Sequence, residues 1–255
     1  MSASSSDPGA KRSVPKSVRI AVVLTAAAGV LLLAGPLGYA SGVMGLGTSL
    51  LGLFLVGFVL AAAALVTALF GLIVAWRRPA HLRRGTGRAA LAAVIALVLL
   101  AFPVRFLIDP KPAIHDITTD TVDPPLFVAV LPLRADAPNP TVYGGDAIAS
   151  QQRAAYPDLQ PLLVSEPPLK AYERALAAVR TMGWELVAED AAAGRIEATD
   201  TTFWFRFKDD VVVRVRPEGT GSRIDVRSLS RVGGGDVGTN AARIKAYLDA
   251  LKAAG

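Results

Sequence analysis

Apolar residues gather in three long runs before residue 109 and in short periodic stretches after it. Ile20 to Tyr39 carries no ionisable group except Tyr39, and Leu46 to Trp76 carries none. Ala89 to Phe102 is uncharged and continues through Arg105 to Asp109. A bilayer core of about 30 Å takes about 20 apolar residues in a helix, so the first two runs suffice alone. The third reaches that length with Arg105 snorkelling to the far interface. Three transmembrane helices are therefore expected within residues 17–108. The stretch Gly35-Pro36 to Gly42 is expected to end the first. The second should start near Gly47 or Thr48 and end at Trp76, an aromatic suited to the headgroup zone. Ala61 to Ala64, Ala68, Gly71 and Ala75 would let helices pack closely. The first two spans hold no Asp, Glu, Lys or His, which argues against an ion or proton path.

Beyond residue 109 the pattern changes. Eleven of the seventeen prolines fall between residues 110 and 168. Residues 109–165 are read as an extended, proline-rich segment that wraps a core built by residues 166–255. In that core, Leu169, Tyr172, Leu176 and Val179 recur at helical spacing from Pro168 to Met182, and Gly183 stops the helix. A strand from Trp184 to Glu189 follows. Ile196 and Ala198 then alternate with Glu197 and Thr199, and Phe203, Phe205 and Phe207 with Trp204 and Arg206. After a turn at Lys208-Asp209-Asp210, Val211, Val213 and Val215 alternate with Val212, Arg214 and Arg216. A last strand runs from Arg223 to Leu229. Ala241, Ile244, Leu248 and Leu251 stripe a final helix from about Val237 to Ala253. The predicted class is α+β: a four-stranded antiparallel meander with two helices on its Phe/Val face. The opposite face carries Trp204, Arg206, Arg214, Arg216 and Arg227 with Glu197 and Asp225. It suits an anionic or sugar-like ligand, cross-strand ion pairs, or a cover made by the proline-rich segment.

Charge divides the same way. Residues 1–108 carry ten Lys and Arg against Asp7 alone, a net +9; residues 109–255 carry seventeen against twenty acids, a net −3. The basic residues flank the apolar runs. Lys11, Arg12, Lys16 and Arg19 precede the first, and Arg77, Arg78, Arg83, Arg84 and Arg88 lie between the second and third with His81. Ser41 to Gly45 has no charge. Positive-inside bias therefore places the N-terminus in the cytoplasm and residue 109 onward outside, in the periplasm of a plasma-membrane protein. Cleavage after Gly38-Tyr-Ala40, as a signal peptide, would change only the N-terminus. Residues 1–16 read as a disordered cytoplasmic tail. Topology thus accounts for the basic charge, and no nucleic-acid pattern accompanies it. A mean hydropathy of +0.43 argues against an all-soluble enzyme, and the absence of cysteine excludes disulfides and thiolate chemistry.

The densest motif is Arg227-Ser-Leu-Ser-Arg231-Val-Gly-Gly-Gly-Asp236-Val-Gly-Thr-Asn240-Ala-Ala-Arg243. Gly233, Gly235 and Gly238 spell G-x-G-x-x-G between a strand and a helix, but the further strand and acid of a dinucleotide fold are missing. What remains is a helix start with free N–H groups beside arginines, a candidate anion site. Its residues are Arg227, Ser228, Ser230, Arg231, Asp236, Asn240 and Arg243. The structural alternative makes Asp236 or Asn240 the helix N-cap and pairs Asp236 with an arginine.

This run, with "IHDITTD" at 114–120, "MGWELV" at 182–187 and "FKDDVVVRVRP" at 207–217, resembles the family called domain of unknown function 1499. The resemblance covers about residues 112–253, implies a bacterial membrane protein, and brings no activity with it. Within "IHDITTD", His115 and Asp116 with Ser228 or Ser230 could form a hydrolytic triad. His115, Asp116 and Asp120 could ligate a metal. A hydrogen-bonded structural histidine is the simpler reading. The sequence thus points to a membrane-anchored domain with a non-catalytic binding or scaffold role in the cell envelope, without cofactor or metal. Its expected partners are the lipid bilayer and an anionic ligand or envelope protein. The rivals are a hydrolase using His115 and Asp116 and a structural subunit of an envelope complex.

Overall fold

A computed structural model describes residues 14–77 and 85–253. The tail Met1 to Gly9, Lys11, Arg12, Arg78, His81, Arg83 and Arg84 lie outside them. The chain forms two compact units that meet in sequence between Ile108 and Asp109.

The first unit has three helices long and apolar enough to cross a membrane. They are α1 (Lys16–Ala40), α2 (Leu55–Trp76), which continues a π-helical stretch Thr48–Phe54, and α3 (Thr86–Ile108). Small residues line the contacts: Ala21, Ala28 and Gly35 on α1, and Gly57, Ala61, Ala64, Ala68, Gly71 and Ala75 on α2. A Cβ on Gly57 would stand 2.8 Å from Leu32 Cγ, so the helices approach to the backbone. α1 ends at Ala40, inside the stretch Gly35 to Gly42 expected to close it, and Gly35 and Pro36 are still helical. Both residues are buried, and Gly35 lies so close to the Ser49 carbonyl that a Cβ would sit 2.7 Å from it. Packing at this point outweighs the one ladder bond that Pro36 removes.

The second unit is an antiparallel sheet with two helices on one face. Its strands are β1 (Asp116–Thr118), β2 (Leu162–Val164), β3 (Glu185–Asp190), β4 (Arg195–Thr201), β5 (Lys208–Glu218) and β6 (Gly221–Ser230). The order is β1-β6-β5-β4-β3, with β2 also on β6. The expected four strands are therefore six. Both additions come from the proline-rich segment: β1 pairs with Arg227 to Leu229 and β2 with Ser222 to Ile224, end to end along the same edge of β6. Strands of three residues carry too little alternation to be read, and the unpaired edge of β6 selects them. The same segment holds helix α4 (Gly145–Ala155).

A second correction concerns the aromatic alternation. Phe203 to Phe207 is a connection between β4 and β5, while Lys208-Asp209-Asp210, expected as a turn, opens β5. The Thr202 N–H donates to the Phe207 carbonyl, and the Phe207 N–H to Thr202 Oγ1. Arg206 has φ +56°. Period-two aromatics imitate a strand, but the β4–β5 ladder ends at Thr201 and Lys208.

The core lies where the Val half of the predicted face places it. Ile196, Ala198, Val211, Val213, Val215, Ile224 and Val226 pack under α5 (Pro168–Thr181) and α6 (Thr239–Ala253). Trp184 stacks on Tyr247 with centroids 5.2 Å apart, and the Tyr247 hydroxyl donates to the Ala175 carbonyl at 2.9 Å. The sheet's other, mostly polar face carries Glu197, Asp210, Asp225 and Arg227 beside Val212 and Leu229, and residues 116–145 cover it, with Phe127 and Val130 packed on the two apolar side chains.

Candidate functional site

β6 divides the predicted constellation. Side chains alternate along a strand, so Arg227 and Arg231 belong to the polar face and Ser228 and Ser230 to the helix face. The residues named together in the motif form two clusters on opposite sides of the sheet.

On the polar face Arg227 is fully buried. Its Nε and Nη2 donate to the two Asp116 carboxylate oxygens at 2.8 and 2.7 Å, Nη1 to the Pro125 carbonyl at 3.1 Å, and Nη2 also to the Thr141 carbonyl at 2.7 Å. Phe127 and Tyr143 present ring faces at 5.0 and 5.6 Å. Burial, and next the Asp116 charge, push the Tyr143 hydroxyl up to about 12. Arg231 forks onto Asp210 at 2.9 and 2.8 Å, and Asp210 also receives Arg134 Nη1 and the Thr199 hydroxyl. Burial raises the Asp210 pKa, but the hydrogen bonds of Arg231, Thr199 and Arg134 outweigh it and hold the carboxyl below its ordinary value.

On the helix face Asp236 fills the start of α6. Its carboxylate accepts the Gly238 N–H at 2.9 Å and the Asn240 N–H at 2.6 Å. These are the donors that an external anion would use. Burial, the largest influence, raises the Asp236 pKa. Ser228 Oγ donates to Asn240 Oδ1, and Asn240 Nδ2 donates to Ser230 Oγ and to the His115 carbonyl. Arg243 donates to Asp200 and Asp209 at 2.7 Å each, to Ser228 Oγ at 3.1 Å, and to Asn240 Oδ1. Arg134 and Arg231 thus meet Asp210 on the polar face, and Arg243 meets Asp200 and Asp209 beside α6.

The structure does not assemble the conjectured triad. Ser228 gives its proton to Asn240, while the Asp116 carboxylate serves Arg227 on the opposite face. His115 enters the hydrogen-bond network through its backbone. Asp120 is likewise engaged: it accepts the Val122 and Asp123 amides and pairs with Arg214, Arg216 and Arg223. Burial pushes its pKa up, but those amides and the Arg223 and Arg214 charges prevail, leaving it lowered.

Two parts of the polar face have partners that no local pattern marks. Glu197, fully buried, accepts the Val128, Ala129 and Val130 amides at 3.0–3.1 Å and pairs with Arg195. Arg134, from a 3₁₀ turn at Leu131–Arg134, reaches 76 residues along the chain to Asp210. The polar alternation at Glu197 hinted at a cover, but nothing local marks its partner. Asp210 was legible only as part of a turn.

A family model described as "Protein of unknown function (DUF1499)" matches residues 116–251, just over half of the chain. The match begins at Asp116, the partner of Arg227, and ends inside α6. No curated protein matches the chain.

Proposed function

The chain belongs to the DUF1499 family of proteins of unknown function, and we propose that it is a membrane-anchored module whose C-terminal domain binds or scaffolds outside the cytoplasm and catalyses nothing. One observation carries this reading: the arginines and acids that looked chemically active are spent on one another, with Arg227 fully buried. A group that closes an internal ion pair is not available to a substrate as acid or base, and the Arg227–Asp116 and Arg134–Asp210 pairs fasten the proline-rich segment to the sheet. The three apolar helices supply the anchor, and positive-inside charge directs residue 109 onward to the periplasmic side of a plasma membrane. An envelope protein is the partner such a scaffold fits.

The chain has no cysteine, which makes the topology directly testable. An impermeant maleimide applied to intact cells should label Ser165→Cys, whereas Ser5→Cys should react only after lysis. The reverse pattern would overturn the orientation. Native mass spectrometry of the detergent-solubilised chain should show a retained partner; a bare monomer with hydrolytic activity that depends on His115 would favour the hydrolase.

A second reading keeps an anion or phosphate site at the helix-face half of the motif, Ser228, Ser230, Asp236, Asn240 and Arg243, without Arg227 and Arg231, which lie on the other face. The Gly238 and Asn240 amides favour it, because they already hold a carboxylate, the Asp236 side chain, at 2.9 and 2.6 Å. On this reading Asp236→Asn binds inorganic phosphate at neutral pH more tightly than the parent chain. Equal binding by both would dismiss it.

A further inference from the structure

Phe203 and Trp204 stand at the tip of the β4–β5 connection, 79% and 57% exposed, with ring centroids 5.2 Å apart. Neighbouring large aromatics in water are costly, and such a patch on a soluble face marks a contact surface. Contacts within the connection hold the tip in place. Phe205 turns inward and stacks on Phe207 with centroids 5.0 Å apart, and Thr202 and Phe207 close the base by two hydrogen bonds. Arg206 holds a left-handed backbone that non-glycine residues rarely adopt. The exposure is built in.

Charge narrows the occupant. Residues 202–208 contain Arg206 and Lys208, both exposed, and no acid. The flanking carboxylates of Asp200 and Asp209 are both held by Arg243. Exposed Phe and Trp beside two cations fit the headgroup zone of an anionic bilayer, where aromatic rings settle and basic side chains meet lipid phosphates.

Register supplies the location. Asp116, Leu229, Asp210 and Thr199 lie side by side across β1, β6, β5 and β4. The segment preceding Asp116 and the 202–207 connection therefore leave the same end of the sheet. Strands are about 4.8 Å apart, which puts β4 about 14 Å from β1. Only the seven residues Asp109 to His115 separate β1 from the last residue of α3, a reach of at most about 25 Å. The aromatic tip thus occupies the end of the domain from which the chain leads back to its third apolar helix.

We infer that the 203–208 tip is a bilayer-contacting element, in which Phe203 and Trp204 enter the anionic headgroup layer of the membrane that anchors the chain while Arg206 and Lys208 engage lipid phosphates. This rests on the membrane-anchored reading above.

Tryptophan quenching separates the two. The three tryptophans are Trp76 in α2, Trp184 buried against Tyr247, and Trp204. The full chain is reconstituted in phosphatidylglycerol-containing vesicles with brominated acyl chains, as Trp76→Phe and as Trp204→Phe. Both variants should lose emission relative to unbrominated vesicles, the first through Trp204 and the second through Trp76. Removing Arg206 or Lys208 as alanine should weaken tip partitioning about fivefold per cation. Quenching of Trp204→Phe without quenching of Trp76→Phe leaves the anchor standing and overturns the tip. Quenching of neither overturns the membrane reading and the tip with it. Shielding of Trp204 from acrylamide without bromine quenching means that protein covers the tip, which also overturns the inference.

Discussion

Replacing Arg227 with alanine tests whether the motif arginine serves structure or a ligand. The guanidinium makes two bonds to Asp116 and two to backbone carbonyls, at 2.7–3.1 Å, between two aromatic rings. Alanine leaves the Asp116 carboxylate buried without its counter-charge and the Pro125 and Thr141 carbonyls without donors. Removing one partner of a buried pair costs about 3–5 kcal/mol. For a domain near 150 residues each kcal/mol lowers the midpoint by about 2–4 °C, so a fall of roughly 6–20 °C is expected. Thermal unfolding of the full chain in detergent, followed by near-ultraviolet circular dichroism, reads it. The double variant Arg227→Met, Asp116→Asn removes both charges and should recover much of the loss, because a neutral pair carries no unpaid desolvation. A fall of under about 2 °C for Arg227→Ala, set against the expectation for a buried pair, would refute the structural assignment. So would a double variant no better than the single one.

Glu197→Gln removes the charge on which three successive amides converge. It should cost about 2–3 kcal/mol and speed proteolysis within residues 121–137, seen by limited digestion. Gly194→Ala puts a Cβ 2.1 Å from the Val215 carbonyl at φ +62°, and should destabilise by about 2–4 kcal/mol in urea unfolding. The pH dependence follows from Asp120. Its folded pKa lies below its unfolded value of 3.8, so its stabilisation is full above that value and is lost as pH falls through the folded pKa. The stability gap between the parent chain and Asp120→Asn should therefore be constant at neutral pH and close on acidification below about pH 4, measured by urea midpoints across pH. A gap that persists unchanged to pH 2 would contradict this.

Much of the candidate site was legible as composition and little of it as geometry. The motif correctly marked β6, the turn and α6, because glycines and a capping acid before an apolar stripe are local signals. Grouping Arg227 with Ser228 ignored the strand's own alternation, which sends them to opposite faces. The partners could not be read at all. Asp116 lies 111 residues from Arg227, and Arg134 lies 76 from Asp210.

What the sequence alone determined here was whatever depends on neighbours within a few residues: three apolar helices, the charge division at residue 109, the Val-faced strands and both covering helices. Only the tertiary structure decided the rest. Two three-residue strands exist because β6 offers an unpaired edge. The aromatic alternation became an exposed tip because the ladder ends at Thr201. Pro36 stayed helical because Gly35 packs against Ser49. The arginines became internal fasteners because the proline-rich segment brings carboxylates and carbonyls to them. In each case the stabilising contact lies far along the chain, and a local pattern holds no information about a partner it does not contain.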